Sequence, residues 1–144
     1  MTSSRPAPAP EPPTMGADLV ALLRSGATCY LATTMPDGSP QLTQTWVDVD
    51  AAGEHVLINT VVGHQKARNI DRDPRVSVAV SDPANPSRYH EIRGRVTRAT
   101  TDGATEHIEV LAQRYLGDPY PWYGGRDQQR LLLAITPRRV HSMG

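Results

Sequence analysis

A lysine and an arginine stand close behind a glycine in the segment Thr60-Val61-Val62-Gly63-His64-Gln65-Lys66-Ala67-Arg68-Asn69. Upstream, Val56 to Val62 alternates with both faces largely apolar, which predicts a buried strand. Gly63 breaks it. Lys66, Arg68, Asn69 and Arg72 then crowd a stretch in which only Ala67 and Ile70 can pack inward, and Pro74 ends the helix. A helix start offers free N–H groups and the positive end of a dipole, so Lys66 and Arg68 there make a seat for a phosphate or carboxylate. The same pattern also suits a solvated linker helix, and no Walker loop is present.

Two further groups could meet a ligand. On the strand expected through Val49, Leu42, Gln44 and Trp46 share one face, and Gln41, Thr43, Thr45 and Val47 the other. Uncharged Thr and Gln groups suit the edge of a heterocycle, and equally a half-exposed strand. Four of the seven aromatic residues cluster at Tyr115, Tyr120, Trp122 and Tyr123, followed by Gly124-Gly125-Arg126. Such a loop plugs a core from the side, forms a subunit contact or walls a pocket.

Other chemistries have little to rest on. The five histidines, His55, His64, His90, His107 and His141, show no paired metal-ligand spacing. Cys29, the only cysteine, has no histidine near it in sequence and reads as a buried structural thiol. Neither Gly-x-Ser-x-Gly nor Gly-x-Gly-x-x-Gly occurs, so chemistry would be borrowed from a cofactor.

The 144 residues make one ordinary domain. Lys plus Arg equals Asp plus Glu, which gives no global field for nucleic acid or an anionic membrane. No apolar run approaches the roughly 20 residues of a bilayer span. Residues 1–14 are rich in Pro and Ala without an apolar signal core, which predicts a disordered tail, an ordered domain over 15–144 and a cytoplasmic protein. A short helix near Leu19–Leu23, stopped by Gly26, precedes a hairpin turning at Asp37-Gly38. Asp102 is placed to cap a longer helix that ends at Gly117, and Pro137 to interrupt the last strand. About six strands, mostly hairpin-linked, with peripheral helices, predict a mainly β (α+β) chain closed into a small antiparallel barrel.

Tyr30-Leu31-Ala32-Thr33-Thr34, Asp37-Gly38-Ser39-Pro40-Gln41, Thr60 to Asn69, and Arg72-Asp73-Pro74-Arg75-Val76, in this order, resemble the pyridoxamine phosphate oxidase-like superfamily. That superfamily has the FMN-binding split β-barrel. More closely, the chain resembles its actinobacterial branch, which takes hydride from the deazaflavin coenzyme F420. The resemblance implies that Thr60, His64, Lys66, Arg68 and Asn69 hold the cofactor phosphate or acidic tail, and that Thr43, Gln44 and Thr45 lie along its ring. Trp46, Tyr120, Trp122 and Tyr123 would face the substrate space, and no catalytic side chain or metal is implied. FMN-using oxidases carry basic residues where this chain has Thr43 and Gln65, and the segment that holds pyridoxal phosphate has no counterpart here. The resemblance therefore implies a homodimer with F420 in an interface groove, reducing enone-like or polycyclic acceptors. FMN, or deazaflavin carriage without turnover, is the alternative. Lys66→Ala is expected to weaken binding of the cofactor by about 1.5–3 kcal/mol, the range for a hydrogen bond to a charged group. Fluorescence titration checks this, and an unchanged dissociation constant removes Lys66 from the site.

Overall fold

The computed structural model describes residues 13–144. The tail expected over residues 1–14 thus lies, but for Pro13 and Thr14, outside the described residues. Seven strands form one antiparallel sheet: β1 (Thr28–Thr34), β2 (Pro40–Thr45), β3 (Val47–Val49), β4 (Val56–Val61), β5 (Arg75–Asp82), β6 (Asn85–Thr100) and β7 (Arg130–Met143). Their order is β2-β1-β5-β6-β7-β4-β3. Three helices accompany them: α1 (Ala17–Leu23), α2 (Gln65–Arg72) and α3 (Ala104–Leu116).

The strand expected through Val49 is two strands, which is why there are seven and not six. β2 pairs with β1 at one edge of the sheet, and β3 pairs with β4 at the other. Only Trp46 lies between them. Successive Cα atoms are about 3.8 Å apart, so a sheet whose two edges approach this closely has to curl back on itself. The result is a split antiparallel β-barrel.

Alternation then sets the core. Leu31, Val47, Ile58, Val78, Val80, Ile92, Leu133 and Ile135 point inward and are buried, and Leu19, Leu22 and Leu23 of α1 close one side against β3 and β5. Burying each such aliphatic contributes about 1.5–3 kcal/mol. No helix among the described residues is long and apolar enough to cross a membrane.

Two local expectations are corrected. Asp102 does not cap α3; Gly103 occupies the cap with φ 74°, and the Asp102 amide is held by Thr100 Oγ1 at 3.0 Å. Gly117, at φ 70°, ends the helix as its sequence predicts. Pro137 does not interrupt β7, because it lies opposite Gly94 where the β6–β7 register shifts, and a bulge tolerates a residue without an N–H. Gly94 is itself constrained: a Cβ built there would stand 2.3 Å from the Thr136 carbonyl oxygen. Gly94→Ala is therefore expected to cost about 1–3 kcal/mol of stability, the range for an overpacked site. An unshifted urea midpoint would show that the two backbones can part freely.

Candidate functional site

A groove of about 640 Å³ opens where the barrel is split, a volume usual for small-molecule sites. Gln44 and Thr45 come from the end of β2 and Trp46 from the crossing between the edges. Asn59 and Thr60 come from β4, and His64 and Lys66 from the start of α2. Tyr115 lies on α3, Tyr120 and Tyr123 on the following loop, and Arg130 at the start of β7. Of the twelve residues predicted from sequence, the groove gathers Gln44, Thr45, Trp46, Thr60, His64, Lys66, Tyr120 and Tyr123.

The other four lie elsewhere. Thr43 does not line the groove, although its hydroxyl is buried without a hydrogen-bond partner. Arg68 faces a separate depression with Val62 and Arg98, because it is two residues beyond Lys66 on a helix. Trp122 leaves the groove, stacks edge-on against Tyr120 at 5.3 Å and carries Arg126 over its face at 5.5 Å. Its backbone has φ 52°, the one left-handed non-glycine residue among those described. Asn69 is 0% exposed. Its Nδ2 donates to Thr33 Oγ1 at 3.0 Å and to Gln41 Oε1 at 3.2 Å, while its Oδ1 accepts from Gln65 Nε2 at 2.8 Å. Asn69 thus pins α2 to β1 and β2, which orients the helix start toward the groove.

Three residues of the site lay outside the predicted set: Arg130, Asn59, and Tyr115, which the sequence offered only as a member of the aromatic cluster. Arg130 is 7% exposed, and its guanidinium donates from Nε to Asn59 Oδ1 at 2.9 Å and from Nη1 to the Tyr120 hydroxyl at 3.2 Å. The Tyr120 ring also lies under it, 5.1 Å from centroid to guanidinium carbon. Asn59 interrupts an otherwise apolar buried strand, and that interruption was the available signal. Arg130 carried none, since it follows the polar run Asp127-Gln128-Gln129 and reads as a strand flank.

The electrostatics are one-signed. No Asp or Glu lines the groove, and neither Lys66 nor Arg130 has a carboxylate partner among the described residues. Burial, then the charge of Arg130, holds the Lys66 ammonium below its ordinary pKa. Burial likewise lowers Arg130, with Tyr120 partly opposing. His64 is lowered by burial, then by Lys66 and Arg130. All three shifts mean that positive charge is unfavourable in the groove as it stands, a cost that an anion placed there would offset.

The walls are aromatic. Trp46 stacks on Tyr115 at 5.2 Å with planes 10° apart, and Tyr120 meets Trp46 and Tyr123 edge-on at 6.2 Å and 5.7 Å. Tyr115 is fixed by its hydroxyl, which donates to the Ala27 carbonyl at 2.6 Å and accepts from the Val47 amide at 3.1 Å. Burial pushes the Tyr115 phenol up to about 12. Cys29 also touches the groove, and burial pushes its thiol up to about 12 against a weak opposing contact from Thr45 Oγ1.

The family model described as pyridoxamine 5'-phosphate oxidase matches residues 15–144. Among solved structures, one called F420 reductase is similar at 32% identity and TM-score 0.73, covering 84% of this chain and 94% of its own. A conserved hypothetical protein of Mycobacterium tuberculosis is similar at 27% identity and TM-score 0.69, covering 98% and 89%. A putative pyridoxamine 5'-phosphate oxidase of Listeria innocua, at 18% identity and TM-score 0.64 over 87% and 94%, shares the fold. No curated protein sequence matches.

Asn69→Ala is expected to destabilise the fold by about 1–3 kcal/mol, because it removes the buried amide that joins α2 to Thr33 and Gln41 and leaves a cavity there. Urea denaturation measures this, and an unchanged midpoint would deny Asn69 the role of pin.

Proposed function

This chain belongs to the pyridoxamine 5'-phosphate oxidase family, and we propose that it is an F420-dependent oxidoreductase of that family. In this reading it passes hydride from the reduced deazaflavin to a small conjugated acceptor, enone-like or polycyclic. One observation carries the reading: an aromatic-walled groove in which Lys66, Arg130 and His64 converge without a carboxylate. Such a site fits a flat heterocycle bearing an anionic arm. Thr60 Oγ1 supports the fit, being buried on the groove wall with no partner of its own. The 32% identity to the structure called F420 reductase favours the deazaflavin among anionic ring cofactors.

The bound cofactor supplies the hydride. Lys66 and Arg130 hold the anionic arm, Arg130 through a guanidinium already fixed by Asn59 and Tyr120. Thr60 offers its hydroxyl, and His64 adds charge once an anion has raised its affinity for a proton. Trp46, Tyr115 and Tyr120 form rigid walls that orient an aromatic ligand and exclude water. Gln44 and Thr45 present uncharged donors and acceptors to a heterocycle edge. Tyr123, 72% exposed, stands at the mouth, where an acceptor enters. A homodimer with this groove at its interface, working in the cytoplasm, completes the proposal.

FMN is the second reading, since Lys66 and Arg130 would hold its phosphate as well. Against it stand Thr43, off the groove, and Gln65, engaged with Asn69, at the two places where FMN users carry basic residues. A third reading, a deazaflavin carrier, differs only in lacking turnover. The deciding experiment records the visible spectrum of the purified protein and then titrates it with F420 and with FMN by fluorescence. A colourless protein that binds F420 more tightly, and oxidises its reduced form when given a cyclic enone, is the expected result. Tighter FMN binding moves it to the flavin side, and F420 binding without turnover on any acceptor makes it a carrier.

A further inference from the structure

Behind Arg130 a line of buried polar side chains runs from Asn59 on the groove wall to His107 and Asp48, which do not line the groove. Asn59 Oδ1 accepts from Arg130 Nε at 2.9 Å, and Asn59 Nδ2 reaches both the Ala104 carbonyl at 2.8 Å and His107 Nδ1 at 3.2 Å. On its far side, His107 Nε2 lies 3.0 Å from Asp48 Oδ2, and Arg114 Nη1 donates to Asp48 Oδ1 at 2.8 Å. The His107 and Asp48 side chains are 11% and 10% exposed.

Donor and acceptor counting fixes every proton in this line. An amide nitrogen has two hydrogens, and Asn59 spends one on the Ala104 carbonyl and the other on His107. His107 Nδ1 must therefore be a bare acceptor, which puts the ring N–H on Nε2, donating to Asp48. The Asn59 amide cannot be reversed, because its oxygen would then meet the Ala104 carbonyl oxygen and its nitrogen the Arg130 Nε–H. A second proton on His107 would set Nδ1–H against Asn59 Nδ2–H. Relief would require Asn59 to turn and release Arg130.

We propose that His107 is a positioning residue for the groove: as the neutral Nε2–H tautomer it locks Asn59, and Asn59 aims the Arg130 guanidinium at the anion. The inference rests on the reading of the groove as an anion site, and not on which cofactor fills it. The charged groups that face this line are Asp48 on β3, Arg114 on α3, bound to the same carboxylate, and Arg130 on β7, beyond Asn59. Burial pushes the Asp48 carboxyl up, but hydrogen bonds from His107 and Arg114 outweigh it and hold the group below its ordinary value. Glu109, two residues further along α3 and so on a different side of the helix, is engaged with the Tyr120 amide at 2.9 Å. Across the groove, Lys66 and His64 face Arg130.

The test is nitrogen NMR of the labelled full chain, with and without inorganic phosphate. The expected result is an Nε2–H tautomer for His107 at neutral pH and a protected Arg130 Nε–H resonance that fades in step with protonation of His107 as pH falls. His107→Asn, which keeps an acceptor near the place of Nδ1, should retain that resonance and bind phosphate as the wild type does. His107→Phe should lose the resonance and bind phosphate about tenfold more weakly, the size of a lost hydrogen bond to a charged group. An Nδ1–H tautomer, or an Arg130 signal indifferent to His107, overturns the inference. Coupled titration in a wild-type chain that binds neither phosphate, FMN nor F420 would leave the His107–Arg130 linkage standing while removing the proposed function. Ligand binding that is equal in the Asn and Phe variants would remove the positioning role alone.

Discussion

Everything in this molecule depends on one covalent constraint, the passage of the chain through Trp46 from one edge of the sheet to the other. β2 and β3 cannot separate by more than that residue allows, although they stand at opposite ends of the strand order. The sheet must curl to satisfy it, and the curl places β1, β2, β4 and the start of β7 around one opening. Barrel closure thus makes the opening, and α2, α3 and the aromatic loop wall it into a groove.

Within that opening, burial and charge are set against each other. A buried guanidinium without a carboxylate is unfavourable in the empty protein, and Arg130 is tolerated only because Asn59 and the ring and hydroxyl of Tyr120 replace part of its lost hydration. In the proposed reading, an anion entering the groove would relieve that cost. Asn69 acts at one remove, holding α2 so that Lys66 reaches the same space while Arg68, on another side of the helix, does not.

Much of this was legible in the sequence where the pattern was local. The strand, the Gly63 break and the basic helix start could be read directly, and they brought Thr60, His64 and Lys66 to the groove. The split barrel followed from strand number and hairpin turns. What the sequence did not reveal depended on contacts distant along the chain. Arg130 joins the site because β7 pairs with β4 in a register that sets it opposite Val61, diagonal to Asn59, and nothing near Arg130 encodes that pairing. The break at Trp46 was hidden because alternation continues through it. Arg68 was placed with Lys66 by the basic helix start and Asn69 by the resemblance, whereas helical geometry sends Asn69 into the fold and Arg68 to a different face.

Cys29 draws a last consequence from its place on the groove wall. Conjugated acceptors of the kind proposed are alkylating agents toward thiolates. With burial pushing its thiol up to about 12, Cys29 stands as the neutral thiol at neutral pH. In the proposed reading, the same packing that keeps the thiol protonated would spare Cys29 from alkylation by such an acceptor.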